Sequence, residues 1–209
     1  MRSIAKGSEP RSLTLHRRSL HATYDNYQDK AELRRCLVQE QRGLCCYCMR
    51  RIRSDDGRTT IEHWYPQSLY PNEQLDYKNL LAACSGETMG DSHCGASKAD
   101  KKLSKNPANP QHRVEELILY RPNGEIASSD AQFNAELTGI LNLNAPFLVN
   151  NRKYVLDGLA AFLSTRGAVT LKRGELEKLI KEWSGHGGGD LREYCQVIIY
   201  WLQKRLRRS

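Results

Sequence analysis

Two groups of thiols bracket the stretch that decides how this chain is read. Cys45-Cys46-Tyr47-Cys48 lies on one side and Cys84 to His93-Cys94 on the other, with Ile61-Glu62-His63-Trp64-Tyr65-Pro66 between them. Cys45-x2-Cys48 is the spacing at which two thiolates meet one tetrahedral zinc ion, and Cys84 with Cys94 can complete a four-thiolate set. Nine residues separate the second pair, so the segment 85–93 must loop out. His93 can instead replace one thiolate, giving a site of three cysteines and one histidine. Either way the zinc is structural.

Working outward, the chain has seven cysteines, an odd number, and its N-terminus Met1-Arg2-Ser3-Ile4-Ala5-Lys6 has no apolar signal-like stretch. Reduced thiols and metal ligands are therefore expected rather than a disulfide framework, in a cytoplasmic protein. Cys36, Cys46 and Cys195 sit in or beside apolar patterns and read as small buried hydrophobes. There is no apolar run long enough to span a membrane, so none is expected as a partner. The formal charge is +8, and residues 1–53 carry twelve Lys or Arg against five Asp or Glu. Polyanions are the obvious partner class, with a solvated basic surface as the alternative.

Local patterns give a three-part division: an extended basic arm at 1–28, a central domain at 29–106 and a mainly helical domain at 107–209. Asp29 with Glu32 resembles a capping box, Leu33, Cys36 and Leu37 follow at helical spacing, and Gly43 closes that helix. Met49 to Arg53 and Thr59-Thr60-Ile61, joined by Ser54-Asp55-Asp56-Gly57, predict a hairpin that leaves Glu62 and His63 at a strand end. Trp64 to Gly90 reads as a long loop, and Cys94 to Ser104 as a short helix. In the second half a hairpin through Asn123-Gly124 precedes helices over about 130–142, 147–166, 170–183 and 190–208. Gly185-His186-Gly187-Gly188-Gly189 reads as a flexible linker.

Histidine titrates near neutrality and can deprotonate a water, while a neighbouring carboxylate can hold a divalent ion against a phosphate. On a strand Glu62 and His63 point to opposite faces, so they share a site only where the strand ends, as Pro66 allows. Glu62 and His63 between two thiol pairs thus read as a metal-dependent nuclease site on a zinc-clamped scaffold.

Ile61-Glu62-His63-x2-Pro66, then Asp76-Tyr77-Lys78-Asn79-Leu80, then His93-Cys94-x3-Lys98 resemble the HNH endonuclease motif of the ββα-metal type. Arg2-x-Ile4-x-Lys6-Gly7-x-Glu9-Pro10, the segment Gln41 to Ile52, and Leu141-Asn142-Leu143-Asn144 resemble more narrowly the HNH nuclease subunits of Septu and certain retron anti-phage systems. The resemblance implies an α+β protein: a zinc-stabilised ββα-metal core followed by a mainly α-helical C-terminal domain. It implies phosphodiester hydrolysis on DNA or RNA, with an ATPase subunit as partner in a hetero-oligomeric complex and the helical half as a docking platform. By the same resemblance His63 is the general base, Glu62 binds a catalytic Mg2+ or Mn2+, and Asn79 orients the loop bearing His63. That ion would neutralise the non-bridging and leaving 3′ oxygens. The family's next position, usually Asn, His or Asp just after the last cysteine, is here Gly95. His93, Asp91 or Asp100 would then supply the missing ligand, or Glu62, substrate and water would hold the ion, or activity is reduced. Lys98, Lys101, Lys102, Arg11, Arg17 and Arg18 are the expected phosphate contacts. The alternative is a zinc-clamped nucleic-acid-binding subunit with little or no intrinsic cleavage.

Overall fold

Leu80-Leu81-Ala82-Ala83-Cys84 is an unbroken apolar run, and in the computed structural model, which describes residues 1–88, 90–165 and 171–208, it is a fully buried strand. β1 (Thr59–His63) pairs with this β2 (Leu80–Cys84) antiparallel, from Thr59 opposite Cys84 to His63 opposite Leu80. A two-residue ribbon, β3 (Glu87–Thr88) and β4 (Asp91–Ser92), leads to the short helix α3 (Cys94–Lys98), which packs on β2. The central order is strand, strand, helix.

The expected hairpin between 49–53 and 59–61 is not what forms. Residues 44 and 51 make one isolated bridge, and β1 takes β2 as its partner. Met49 sits at φ 65, a left-handed turn conformation that closes a knuckle and cannot continue a strand. The expected long loop after Trp64 therefore contains β2, reached through two short 3-10 turns at Pro71–Glu73 and Tyr77–Asn79.

The expected extended arm is also partly folded. α1 (Arg11–Arg17) forms within it, and Met1, Leu13 and Tyr27 are buried. Lys6 is lashed to Glu40 and donates to the Leu80 carbonyl at 2.8 Å, while the Gly7 amide donates to Glu40 Oε2 at 2.8 Å. Glu40 ends α2 (Lys30–Glu40), which packs on both β1 and β2. The capping box does not form, since Asp29 makes no side-chain cap and Glu32 accepts from Ser12 instead.

In the second half α4 (Val114–Leu117) runs into a hairpin of β5 (Ile118–Tyr120) and β6 (Ile126–Ser128), turned by Gly124 at φ 89. α5 (Ala131–Ala135) continues as a π-helical turn at Glu136–Ile140. Three longer helices follow: α6 (Pro146–Thr165), α7 (Arg173–Trp183) and α8 (Cys195–Leu206). Residues 166 and 170, ends of two expected helices, lie outside the described residues. The main apolar core draws on both halves, from Met1 and Leu37 through Leu81 to Leu148 and Val197. The glycine-rich 185–189 segment is tied rather than loose, because the Arg42 guanidinium donates to the Gly185 and Gly189 carbonyls at 2.7 Å each. Among the described residues no helix is long and apolar enough to cross a membrane.

Candidate metal centre and acid–base pocket

The four thiols of Cys45, Cys48, Cys84 and Cys94 are all buried and lie within 4.8 Å of one another, and no disulfide joins them. Zn–S bonds of about 2.3 Å set sulfurs about 3.8 Å apart at the corners of a tetrahedron. Cys48 Sγ and Cys84 Sγ are 3.7 Å apart, so the donor set fits a tetrahedral ion such as zinc. The thiols' electrostatics are uneven. Burial pushes the Cys45 thiol up, but hydrogen bonds from Cys46, Cys48, Cys84 and Cys94 overcome it and hold Cys45 well below its ordinary value. Cys84 falls to about 7, its bond with Cys45 opposing and those with Cys48 and Cys94 favouring the thiolate. Burial drives Cys48 and Cys94 the other way. A divalent metal at the centre of this set supplies the positive charge that lets all four bind as thiolates.

Local structure explains why these sulfurs converge. The Cys45 amide donates to the Arg50 carbonyl at 2.9 Å and the Met49 amide to the Cys45 carbonyl at 3.1 Å, which closes the knuckle. Gln41, buried, staples that knuckle to β2. Its amide nitrogen donates to the carbonyls of Leu44 and Ala82, and its oxygen accepts from the Ala82 amide at 2.7 Å. Cys94, at φ 54, is held by the Leu141 carbonyl at 2.9 Å, and Asn142 donates to the Ser92 carbonyl. Asn144 pairs with both backbone groups of Ile126, and the buried Arg152 donates to the Gly124 and Leu143 carbonyls. The Leu141-Asn142-Leu143-Asn144 block therefore braces Cys94 against the helical half.

The acid lies one residue before the end of β1. Glu62 Oε1 accepts from Lys98 Nζ at 2.9 Å, and the Lys98 side chain is only 1% exposed. The same ammonium donates to the His63 carbonyl at 3.0 Å. Glu62 Oε2 lies against Gly95, where an added Cβ would come within 2.5 Å of it. The missing side chain at 95 thus has a spatial explanation: the Glu62 carboxylate fills that volume. Burial pushes the Glu62 carboxyl above its ordinary range, against the pull of Lys98. The buried Tyr47 hydroxyl faces the same carboxylate outside ordinary hydrogen-bond geometry.

His63 Nε2 lies 3.0 Å from the Gln74 carbonyl. A carbonyl can only accept, so Nε2 carries the hydrogen and Nδ1 is the basic nitrogen of the neutral ring. Tyr24 meets the ring edge-on with centroids 4.5 Å apart. Burial lowers the His63 pKa, the Gln74 contact opposes this, and Lys98 lowers it further, so the ring is neutral at physiological pH. Asn79, 3% exposed, accepts from the Tyr65 amide at 2.7 Å and donates to the Tyr65 and Glu73 carbonyls at 3.1 and 3.0 Å. Two of these bonds fix the backbone just after His63 and the third ties it to Glu73.

Several sequence candidates lie elsewhere. His93 is fully buried, with Nδ1 3.2 Å from Cys94 Sγ and Nε2 3.3 Å from Thr88 Oγ1, so it buttresses a thiol and stands outside the four-sulfur set. Asp91 and Asp100 are exposed. Among the described residues the four cysteines are the only group of three or more His, Cys, Asp or Glu donors brought together. At Glu62 the cation in place is the Lys98 ammonium. Lys98 is no surface phosphate contact, whereas Lys101, Lys102, Arg11 and Arg18 are exposed and Arg17 pairs with Glu9. Cys46 and Cys195 are buried as expected, and Cys36 partly so. Tyr24 and Gln74 were missed, and Gln41 and Tyr47 stood in the resemblance segment without a role, since isolated polar and aromatic residues carry no spacing signal.

No protein-family model matches the chain. It is similar to the Septu protein PtuB of Bacillus thuringiensis, 26% identical over 78 residues, which cover 37% of this chain and 28% of that protein. The match thus spans under a third of the curated relative's length.

Proposed function

We propose that the chain is an HNH-type endonuclease that hydrolyses phosphodiester bonds in DNA or RNA, acting as an effector in anti-phage defence with a PtuA-like ATPase subunit. The observation that carries the reading is the strand, strand, helix order of β1, β2 and α3, with Glu62, His63 and Asn79 at the end of the β1–β2 ladder opposite Cys84. The similarity to PtuB supports the defence setting and the partner.

In this reading Cys45, Cys48, Cys84 and Cys94 would hold a zinc that ties the knuckle to α3 and supplies no reaction chemistry. His63 Nδ1 accepts a proton from the attacking water, Nε2–H stays on the Gln74 carbonyl, and the ring's orientation is held by Tyr24. Water oxygen forms the new bond to phosphorus as the bond to the leaving oxygen breaks, and that oxygen is protonated from solvent. Asn79 fixes the chain after His63 and touches no substrate. Exposed Lys101 and Lys102 hold the phosphate backbone without reading sequence. The HNH resemblance implies a Mg2+ or Mn2+ ion that Glu62 would hold, but no step above is assigned to one because Glu62 is held by Lys98.

A second reading, a zinc-clamped nucleic-acid-binding subunit with little cleavage, is favoured by that same Glu62–Lys98 pairing. Plasmid nicking with Mg2+ or Mn2+ separates the two. Wild type nicks, and His63→Ala loses cleavage by about 100-fold or more while still binding nucleic acid. Equal nicking by wild type and His63→Ala removes the nuclease reading, and binding without nicking by wild type establishes the second.

A further inference from the structure

The ammonium of Lys98 is an almost wholly enclosed charge, and every polar neighbour it has is an oxygen. Glu62 Oε1 is at 2.9 Å, the His63 carbonyl at 3.0 Å and the Ala99 carbonyl at 3.5 Å. Carboxylate and carbonyl oxygens are the ligands a hard cation takes. Ala99 stands at φ 47, an unfavourable conformation for a residue with a Cβ, just where its carbonyl faces the ammonium. The other Glu62 oxygen, Oε2, lies over the bare backbone of Gly95. The carboxylate thus already carries one cation through Oε1, and a second cation on it would repel the ammonium across a buried, weakly screened distance.

Building on the nuclease reading, we propose that Lys98 is a built-in competing cation: its ammonium occupies the cation position on Glu62, and a divalent ion binds that carboxylate only by displacing it. Lys98 then reports whether the acid is engaged or released. With the ammonium gone, the carboxylate beside His63 is available to a metal and the cradle of carbonyls stays in place. The ion and Lys98 exclude each other, so the apparent affinity for the ion is lowered by the fraction of time Lys98 occupies the site.

The test is Mn2+ binding to the zinc-loaded full chain, followed by electron paramagnetic resonance. Lys98→Met is expected to bind one Mn2+ about tenfold or more tighter than wild type. Adding Glu62→Gln is expected to abolish that gain. Unchanged affinity in Lys98→Met, or a gain that survives Glu62→Gln, overturns the proposal. Zinc content shows whether each variant has kept its fold. If Lys98→Met has not, wild type gives the answer through amine-reactive labelling read by peptide mass, with exposed Lys101 and Lys102 as internal standards. Labelling of Lys98 that rises with Mn2+ supports displacement, and labelling that stays at its metal-free level at every Mn2+ concentration the fold tolerates overturns it. Neither readout uses cleavage, so a chain that fails to nick DNA would defeat the nuclease reading without deciding this one.

Discussion

β1 and β2 carry the two sites at opposite ends of one ladder. At one end Cys84 closes β2 opposite Thr59, and its sulfur joins three others with no competing charge. At the other end His63 closes β1 opposite Leu80, and the neighbouring acid is already neutralised by a buried lysine. The thiol set has four identical donors within 4.8 Å of one another and needs only its ion. The acid pocket has unlike charges that satisfy one another and must be rearranged before it can take anything else.

The most severe way to break this contrast is at the thiols. Cys84→Ser should lose the metal and with it most of the stability of the central region, since structural zinc in small domains contributes on the order of 10 kcal/mol. Chelation of wild type should mimic it in thermal unfolding. A smaller and more diagnostic change is Gly95→Ala. In an ordinary helix this replacement stabilises by up to about 1 kcal/mol. Here the new methyl meets Glu62 Oε2 and must push the carboxylate from Lys98, so a loss of about 1–3 kcal/mol is expected. In a Glu62→Ala background the same replacement should become neutral or stabilising. If Gly95→Ala stabilises wild type, the carboxylate does not lie where the account places it.

The smallest effect is in pH. Burial lowers the His63 pKa from the ordinary 6.5, so the ring stays neutral, and competent as a base, to more acid pH than a free histidine. The cleavage rate should rise with pH through that depressed value and be level above 6.5. An acid limb centred above 6.5 would mean that Lys98 and burial do not govern the ring.

How much of this was legible depended on whether the signal was local. The knuckle spacing of Cys45 and Cys48 and the strand end at His63 could be read directly, because tetrahedral zinc and a following proline act within a few residues. Cys84 and Cys94 were identified as partners despite their wide spacing, and the short β3–β4 ribbon shows how the intervening residues loop out. The partner of β1 was not legible: Leu80 to Cys84 is a continuous apolar run without alternation, which periodicity alone cannot assign to a strand. Nor was the burial of Lys98, since a lysine on a short helix ordinarily faces water. Gly95 looked like a missing ligand in one dimension and is a space-making glycine in three. The arm at 1–28 looked extended because its anchors, Glu40, Leu80 and Pro107, are far away in sequence.

If the two ends of the ladder have separate jobs, metal content shows it first. Wild type, Glu62→Gln and His63→Ala should each purify with about one zinc per chain, while Cys84→Ser and Cys94→Ser should hold none. Zinc that is lost with Glu62→Gln, or retained through both cysteine replacements, would contradict the account.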